Sequence, residues 1–324
     1  LTLNPFFMKF FDVCVCRYKV IDEQQKLMSK LLLKKVGWPF YIRDNKTEEF
    51  MLAMMLFVSE QHGQAYEFFQ LHDYTEAISD SLPECVKNLA DGTSHSIWTP
   101  LISSFKVPYR HSSYFFELSK LFFQGSNIEY AFKCIKKSIE YSMKNVEIKE
   151  PQSFKQTQLE LYLDLLFHFN MFAEALDVLR FSHDVLSEHI REKYFRTMLE
   201  STRQSAPFLA TVLRSCHSHS DSIYLPVTDY RIIDKILVSH VSENDWKSLK
   251  KLYSFRIVNN HERAAAELLY EYLKSNCDDV ETKRKCYLII VNVLSTFDNM
   301  RDRWLLYGND VLTSADLQKE LEAL

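Results

Sequence analysis

A spacing of nine positions between a large apolar residue and an alanine recurs four times along the chain. The pairs are Phe68 with Ala77, Phe122 with Ala131, Leu166 with Ala175, and Phe255 with Ala264. Each pair encloses a polar or turn-forming dipeptide, in chain order His72-Asp73, Ser126-Asn127, Asn170-Met171 and Asn259-Asn260. Because an alanine lets two helix backbones approach closely, the pattern predicts helical hairpins that stack to bury their apolar faces.

The intervals between the copies indicate that the stack is irregular. Consecutive alanines of the pattern are 54, 44 and 89 residues apart, so the last interval is close to twice the middle one. The copy expected near position 219 is absent, and a polar Ser/His run occupies residues 216–221 instead. The sequence therefore predicts an all-α fold, an irregular α-solenoid of stacked helical hairpins.

Two helices are predicted near the start of the chain. Leu27, Met28, Leu31 and Leu32 fit one face of a helix over residues 24–36. A second helix follows Thr47, a natural N-cap, and its body at residues 50–58 is apolar on every side. Apolarity all round a helix predicts burial on several sides.

The last third of the chain is predicted to hold four helices. Three cover residues 245–258, 261–275 and 281–297, with Asp278-Asp279 as a candidate cap for the third. A short final helix is expected to begin at Thr313 or Ser314, with Asp316 in its first turn. Leu317 and Leu321 then lie on one face.

The organisation of the chain is predicted to be one continuous helical stack with a soft boundary. Residues 145–153 are polar and end at a proline, which divides the stack into residues 1–150 and residues 151–324. A second loop is expected at residues 216–228. Neither segment has the length or composition of a flexible linker.

Composition narrows the class of protein further. Only 5 of 324 residues are glycine and 8 are proline, which disfavours an all-β fold because hairpins and barrels need turn residues. The formal net charge is −4 with both signs interspersed, which argues against nucleic acid or an anionic membrane as the main partner. The 7 scattered cysteines are typical of a reducing compartment. No apolar run is long enough to span a bilayer. The first residue is Leu1, so we expect the chain to be the later part of a longer protein.

Candidate chemistry in the sequence is weak. Asp278-Asp279 lacks the third carboxylate of an aspartate-rich magnesium motif, and capping explains it better. Cys14 with Cys16, and Cys216 with His217 and His219, have no second ligand pair at zinc-finger spacing. His183 and His189 do not share a helix face, and the hydroxyl-rich residues 92–96 lack an assignable carboxylate. We therefore predict no enzyme activity, no metal and no cofactor.

The late helices resemble the C-terminal helical region of a known family. The segments DWKSL at residues 245–249, LYSFRI at 252–257 and RAAAELLYEYL at 263–273 occur in the order seen in the nucleoporin one-twenty family, called one-sixty in animals. The segment VLTSADLQKEL at residues 311–321 is similar to the late Thr-x-x-Asp-Leu segment of that family. An aromatic residue commonly closes this segment, where the chain has Leu321.

This resemblance implies a structural scaffold of the Y-shaped outer-ring complex at the nuclear pore, in the nuclear envelope. Family members carry an N-terminal β-propeller, which we expect to precede the part of the protein given by this sequence. The end of their helical domain meets helical nucleoporins of the eighty-five and one-forty-five-C families, at the hub of the Y, in an assembly that supports mRNA and protein transport. The residues that could supply this contact here are Trp304, Leu305, Leu306, Tyr307, Leu317 and Leu321. The alternative is that they cap the core of their own domain.

Two other functions remain open from the sequence. A peptide-binding module of the tetratricopeptide type also consists of helical hairpins with alanine-rich helices, although it needs regular repeats and a polar groove. A helical subunit of a vesicle coat or of the proteasome lid is the other alternative, because composition alone does not distinguish it from a nuclear pore scaffold.

Overall fold

A computed structural model describes residues 46–71, 97–144, 149–200, 226–241, 246–276 and 279–324, and the single positions Phe11, Val15 and Leu27. The chain forms two compact units, unit 1 from Leu1–Asn170 and unit 2 from Met171–Leu324. The predicted boundary near residue 150 stays a prediction. Several other predictions lie outside the described residues: the helix at 24–36, Ala77, Asp278, residues 92–96, Cys14 with Cys16, and Cys216 with His217 and His219.

The prediction of an all-α helical stack is confirmed. In the described part of unit 1 the helices are α1 (Lys46–Val58), α2 (His62–Leu71), α3 (Thr99–Ser103), α4 (Arg110–Gln124), α5 (Ile128–Lys144) and α6 (Gln152–His168). A 3-10 turn (Ser104–Lys106) follows α3. Helix α1 packs on α2, α4 on α5, and α5 on α6, so neighbours in sequence are neighbours in space.

Helix α1 shows the predicted burial on every side. All residues of α1 from Thr47 to Val58 are buried. The core around it is aromatic: Phe57 packs edge-on against Trp98 and Phe122, with ring centroids 5.6 Å and 5.4 Å away. The unusually apolar composition of α1 is therefore explained by its place inside unit 1.

A chain of buried polar side chains joins three helices of unit 1. Ser138 on α5 donates its hydroxyl to the carbonyl of Ser112 on α4, at 2.6 Å. Gln158 on α6 donates from Nε2 to the Ser138 hydroxyl, also at 2.6 Å. Because a buried polar group without a partner is costly, these bonds favour one register of the three helices over others.

Unit 2 is also built of helices that pack on their neighbours in sequence, and it ends in a small sheet. Its described helices are α7 (Phe172–Phe181), α8 (Glu188–Glu200), α9 (Val227–His240), α10 (Trp246–Val258), α11 (Glu262–Asn276), α12 (Val280–Ser295) and α13 (Ser314–Glu322). A 3-10 turn (Met300–Asp302) and two strands, β1 (Trp304–Tyr307) and β2 (Asp310–Thr313), precede α13. From α8 to α12 each helix packs on the next, and α13 packs on α12.

The predicted caps of the late helices are confirmed. Asp279 accepts a hydrogen bond from the Thr282 backbone at 2.9 Å and so caps α12, as a helix start requires. Thr313 and Asp316 form a reciprocal capping box at the start of α13.

A buried ion pair joins α8 and α9. Arg191 donates from Nε to Asp229 at 2.9 Å and also from Nη2, and both side chains are almost wholly buried. Burial raises the pKa of Asp229, although the guanidinium groups of Arg191 and Arg180 act in the opposite direction.

The helical hairpins share one turn geometry. The second residue after the helix end has a positive φ at Glu60, Ser126, Asn170 and Asn260. In three of these turns the next residue donates its N–H five positions back: Gln61 to Leu56, Asn127 to Phe122, and His261 to Arg256. This is the Schellman arrangement, which satisfies carbonyls left over at a helix end.

The turn geometry corrects the sequence pattern in two places. The alanine five positions after each positive-φ residue is fully buried, at Ala65, Ala131, Ala175 and Ala265. The predicted fourth copy, Phe255 with Ala264, is therefore wrong by one residue, because the closely packed alanine is Ala265. A further copy, Leu56 with Ala65, was not predicted.

Candidate interaction surface at the C-terminal end

The C-terminal hairpin separates the predicted contact residues onto two faces. Strands β1 and β2 are antiparallel, with Trp304 opposite Thr313 and Leu306 opposite Val311. Side chains alternate between the faces of a strand, so these four residues share one face, which we call the outer face. Leu305, Tyr307, Asp310 and Leu312 lie on the other face. No helix is predicted over residues 304–313 from the sequence, and the chain forms the two strands and the turn between them there.

Three of the predicted contact residues contribute to the core of unit 2. Leu305 and Leu317 are fully buried among residues of α11 and α12, and Leu321 packs partly buried against the same cluster. Tyr307 is 38% exposed, and its ring meets Tyr270 edge-on at 5.1 Å. These residues dock the hairpin and α13 onto the helices beneath.

The outer face presents apolar side chains to solvent. Leu306 is 46% exposed, and Val311, which was not among the predicted contact residues, is 57% exposed. Trp304 is partly buried beside them. The signal for Val311 was the Gly308-Asn309 turn between two short apolar runs, since a two-residue turn with glycine at positive φ pairs the flanking strands.

Arg263 holds the outer face in place. Its guanidinium lies 3.9 Å from the centre of the Trp304 ring and 5.3 Å from that of Phe297. Its Nη2 donates to the carbonyl of Asp302 at 2.9 Å. One turn further along the same helix, Glu267 of α11 accepts the backbone N–H of Leu306 at 3.0 Å. The hairpin is therefore fixed by side chains of α11 before any partner arrives.

A groove borders the outer face. It has a volume of about 340 Å³. The residues that line it are Asn260, His261, Glu262, Arg263, Ala264, Glu267 and Phe297. Because Arg263 stacks on Trp304 and Glu267 bonds Leu306, the groove and the outer face form one continuous surface.

Glu320 ties α13 to the two helices beneath it. Its carboxylate accepts hydrogen bonds from Tyr287 on α12 at 2.8 Å, and from Tyr270 and Lys274 on α11 at 3.0 Å and 3.2 Å. Burial raises the pKa of Glu320, but the bonds from Tyr287, Lys274 and Tyr270 outweigh it, so the pKa lies below its usual value.

We expect the docking of α13 to weaken in acid. A carboxylate with a lowered pKa in the folded state stabilises that state above its unfolded pKa, about 4.3, and the contribution is lost as the pH falls through the folded value. Glu320→Gln should therefore be less stable than the wild type at pH 7, and the difference should shrink towards pH 3. Amide hydrogen exchange of residues 314–322 at both pH values measures this. Glu322→Gln is the control, and an unchanged difference at pH 3 contradicts the prediction.

Of the other candidate ligands, the two histidines His183 and His189 lie among the described residues. His183 and His189 are both exposed, in the turn after α7 and on α8. Within the described ranges, no three His, Cys, Asp or Glu side chains are grouped so as to hold a metal ion. In the same part of the chain, no helix is long and apolar enough to cross a membrane.

Comparison with known proteins gives one informative relative. The chain is 46% identical to Nucleoporin NUP120 of Saccharomyces cerevisiae over 329 aligned positions, which cover 100% of the chain. The same alignment covers 31% of the yeast protein, so the chain spans about a third of the length of that relative. No protein-family model matches the chain.

Proposed function

Because the chain belongs to the nucleoporin one-twenty/one-sixty family, as part of its C-terminal helical domain, we propose that it is a structural scaffold at the hub of the Y-shaped outer-ring complex. Members of this family are located in the nuclear pore complex, at the nuclear envelope. The proposed role is non-enzymatic: the chain holds helical nucleoporins of the eighty-five and one-forty-five-C families, and so supports nuclear pore assembly and transport of mRNA and protein.

The outer face carries this proposal. Leu306 and Val311 are opposite each other on a hairpin that Arg263 and Glu267 already hold in place. Exposed aliphatic side chains on a fixed surface bind a partner with little loss of conformational entropy. Burying both side chains against an apolar partner removes them from water, which is the main driving force of stable protein association.

Under this proposal, the contact residues predicted from the sequence fall into two groups. One group binds the partner, and the other holds the hairpin and α13 on the helices beneath. Leu306, Val311 and Trp304 face the partner, whereas Tyr307 lies on the opposite face and docks the hairpin against Tyr270. Leu305 and Leu317 are fully buried and Leu321 is packed against them, so they position the hairpin and α13. A charged residue at Leu317 therefore tests folding and not binding.

The proposal is tested by mixing the chain with the C-terminal helical regions of the two partner nucleoporins. We expect a stable ternary complex in size-exclusion chromatography with light scattering. Leu306→Asp/Val311→Asp should lose the complex while its circular dichroism stays that of the wild type. Leu288→Asp, at a site 47% exposed on α12, is the matched control and should keep it.

Failure of the folded wild type to bind either partner would overturn the scaffold proposal. Retention of the complex by Leu306→Asp/Val311→Asp would overturn the assignment of the outer face.

A further inference from the structure

The hairpin offers little to a partner strand. Tyr307 and Asp310 flank the two-residue turn as a hydrogen-bonded pair, so the backbone groups of Leu306 and Val311 point away from the ladder. Glu267 already accepts the Leu306 N–H, and Asp316 accepts the Thr313 N–H at 3.1 Å. On the edge of β2 this leaves the backbone of Val311, and one residue is too short a template for strand addition.

The outer face suits a helix better than a strand. The cross-strand pair Leu306 and Val311 forms a small apolar surface beside the edge of Trp304. An amphipathic helix places apolar side chains at positions i, i+3 and i+4 on one face, and such a face covers a surface of this kind. The partner is therefore expected to contribute side chains from a helix, with its polar positions at the rim.

The groove beside the outer face favours a positive charge. Two carboxylates line it, those of Glu262 and Glu267 on α11, and Glu267 uses Oε1 in its bond to the Leu306 N–H. The single arginine of the groove, Arg263, is already engaged by the rings of Trp304 and Phe297 and by the Asp302 carbonyl. A cation that enters the groove from solvent therefore meets the carboxylates of Glu262 and Glu267. The guanidinium of Arg263 is already in contact with other groups of the protein.

We propose that the partner element on the outer face is a basic amphipathic helix. Its aliphatic side chains cover Leu306 and Val311, and one lysine or arginine enters the groove between Glu262 and Glu267. This inference rests on the proposed function, since it describes the partner of the same surface. The aliphatic contact supplies affinity, and the charge in the groove sets the orientation of the helix and the rate of encounter.

The test is a salt titration of binding to the same two partner regions by isothermal calorimetry. Glu262→Gln/Glu267→Gln removes both negative charges. The side-chain oxygen of glutamine at position 267 can still accept the Leu306 N–H. We expect its Kd to rise by about five- to tenfold at 50 mM salt, and the difference from the wild type to shrink at 500 mM, because salt screens exposed charges. Glu188→Gln/Glu322→Gln makes the same charge change away from the groove and should leave Kd unchanged.

The outcomes separate the inference from the function on which it rests. If the Glu262→Gln/Glu267→Gln variant binds with the wild-type Kd and salt slope while Leu306→Asp/Val311→Asp does not bind, the basic helix is overturned and the scaffold role stands. If the double glutamine variant binds more tightly, the groove receives an acidic group and the inference is also overturned. Loss of wild-type binding altogether counts against the proposed function.

Discussion

Replacing Phe122 with alanine is expected to lower the free energy of unfolding of unit 1 by about 3–5 kcal/mol. Phe122 on α4 is fully buried. Its ring packs against five others, with centroid distances of 5.4 Å to Phe57, 5.5 Å to Tyr130, 6.0 Å to Tyr66, 6.3 Å to Phe69 and 6.4 Å to His62. These five rings come from α1, α2 and α5, so the cavity cannot close by moving one helix alone.

Urea unfolding followed by circular dichroism measures the effect. The neighbouring Phe123 is the control, because it lies on the same helix and is 45% exposed. Phe123→Ala should cost about 1 kcal/mol or less, since most of its loss is of partly hydrated surface. A Phe122→Ala variant as stable as Phe123→Ala would contradict the aromatic cluster. Where the two compact units give separate unfolding transitions, the free energies of the variants are compared for the transition of unit 1.

Replacing Asp229 with asparagine is expected to cost about 3–5 kcal/mol, because it leaves Arg191 as a buried charge without its carboxylate. Asparagine has nearly the same shape as aspartate, so the loss of stability reflects the missing charge and not a change of side-chain volume. Asp229 is fully buried and Arg191 nearly so, and water cannot replace the missing acceptor without opening the contact between α8 and α9.

A double variant that removes both charges distinguishes the cost of one unpaired charge from the cost of losing the ion pair. Arg191→Met/Asp229→Leu removes both charges, and we expect it to be more stable than Asp229→Asn, since an apolar pair needs no compensation. Lys235→Ala is the control for a surface pair: its Nζ lies 4.0 Å from Glu192, and it should cost less than about 1 kcal/mol. Urea unfolding of unit 2 measures all three. A double variant less stable than Asp229→Asn would show that the ion pair itself contributes net stability.

Much of the helical architecture follows from the sequence, because helix period and capping are local properties. The turns at Ser126 and Asn170 were located correctly, as were the caps at Asp279 and Thr313. The turn at Glu60 was missed because glutamate rarely adopts a positive φ, and the sequence there has no Gly or Asn to indicate it.

The one-residue error in the fourth copy has a different cause. Ala264, Ala265 and Ala266 are consecutive, so a spacing rule alone does not select among them. The structure selects Ala265, because its position after Asn260 matches the buried alanine of the other turns. Packing distances, and not composition, decide such cases.

The sequence predicted Trp304 and Leu306 of the outer face but not Val311, because it did not distinguish a strand from a helix in this region. Trp304 to Tyr307 is an apolar run of four residues, which fits either a helix or a strand. As a helix it presents one apolar patch, whereas as a strand it sends alternate residues to opposite faces. The run therefore indicated that the region was apolar, but it did not distinguish Leu305, which is buried, from Leu306, which is exposed.

The recurring hairpin turn has a consequence for how the chain reaches its fold. Each turn joins helices that are adjacent in sequence, so most of the pairings between described helices are made over short chain separations. Short separations mean a small entropic cost of loop closure and fast folding. Each hairpin can form soon after its second helix leaves the ribosome. The apolar face that it exposes is then buried once the next hairpin has been synthesised.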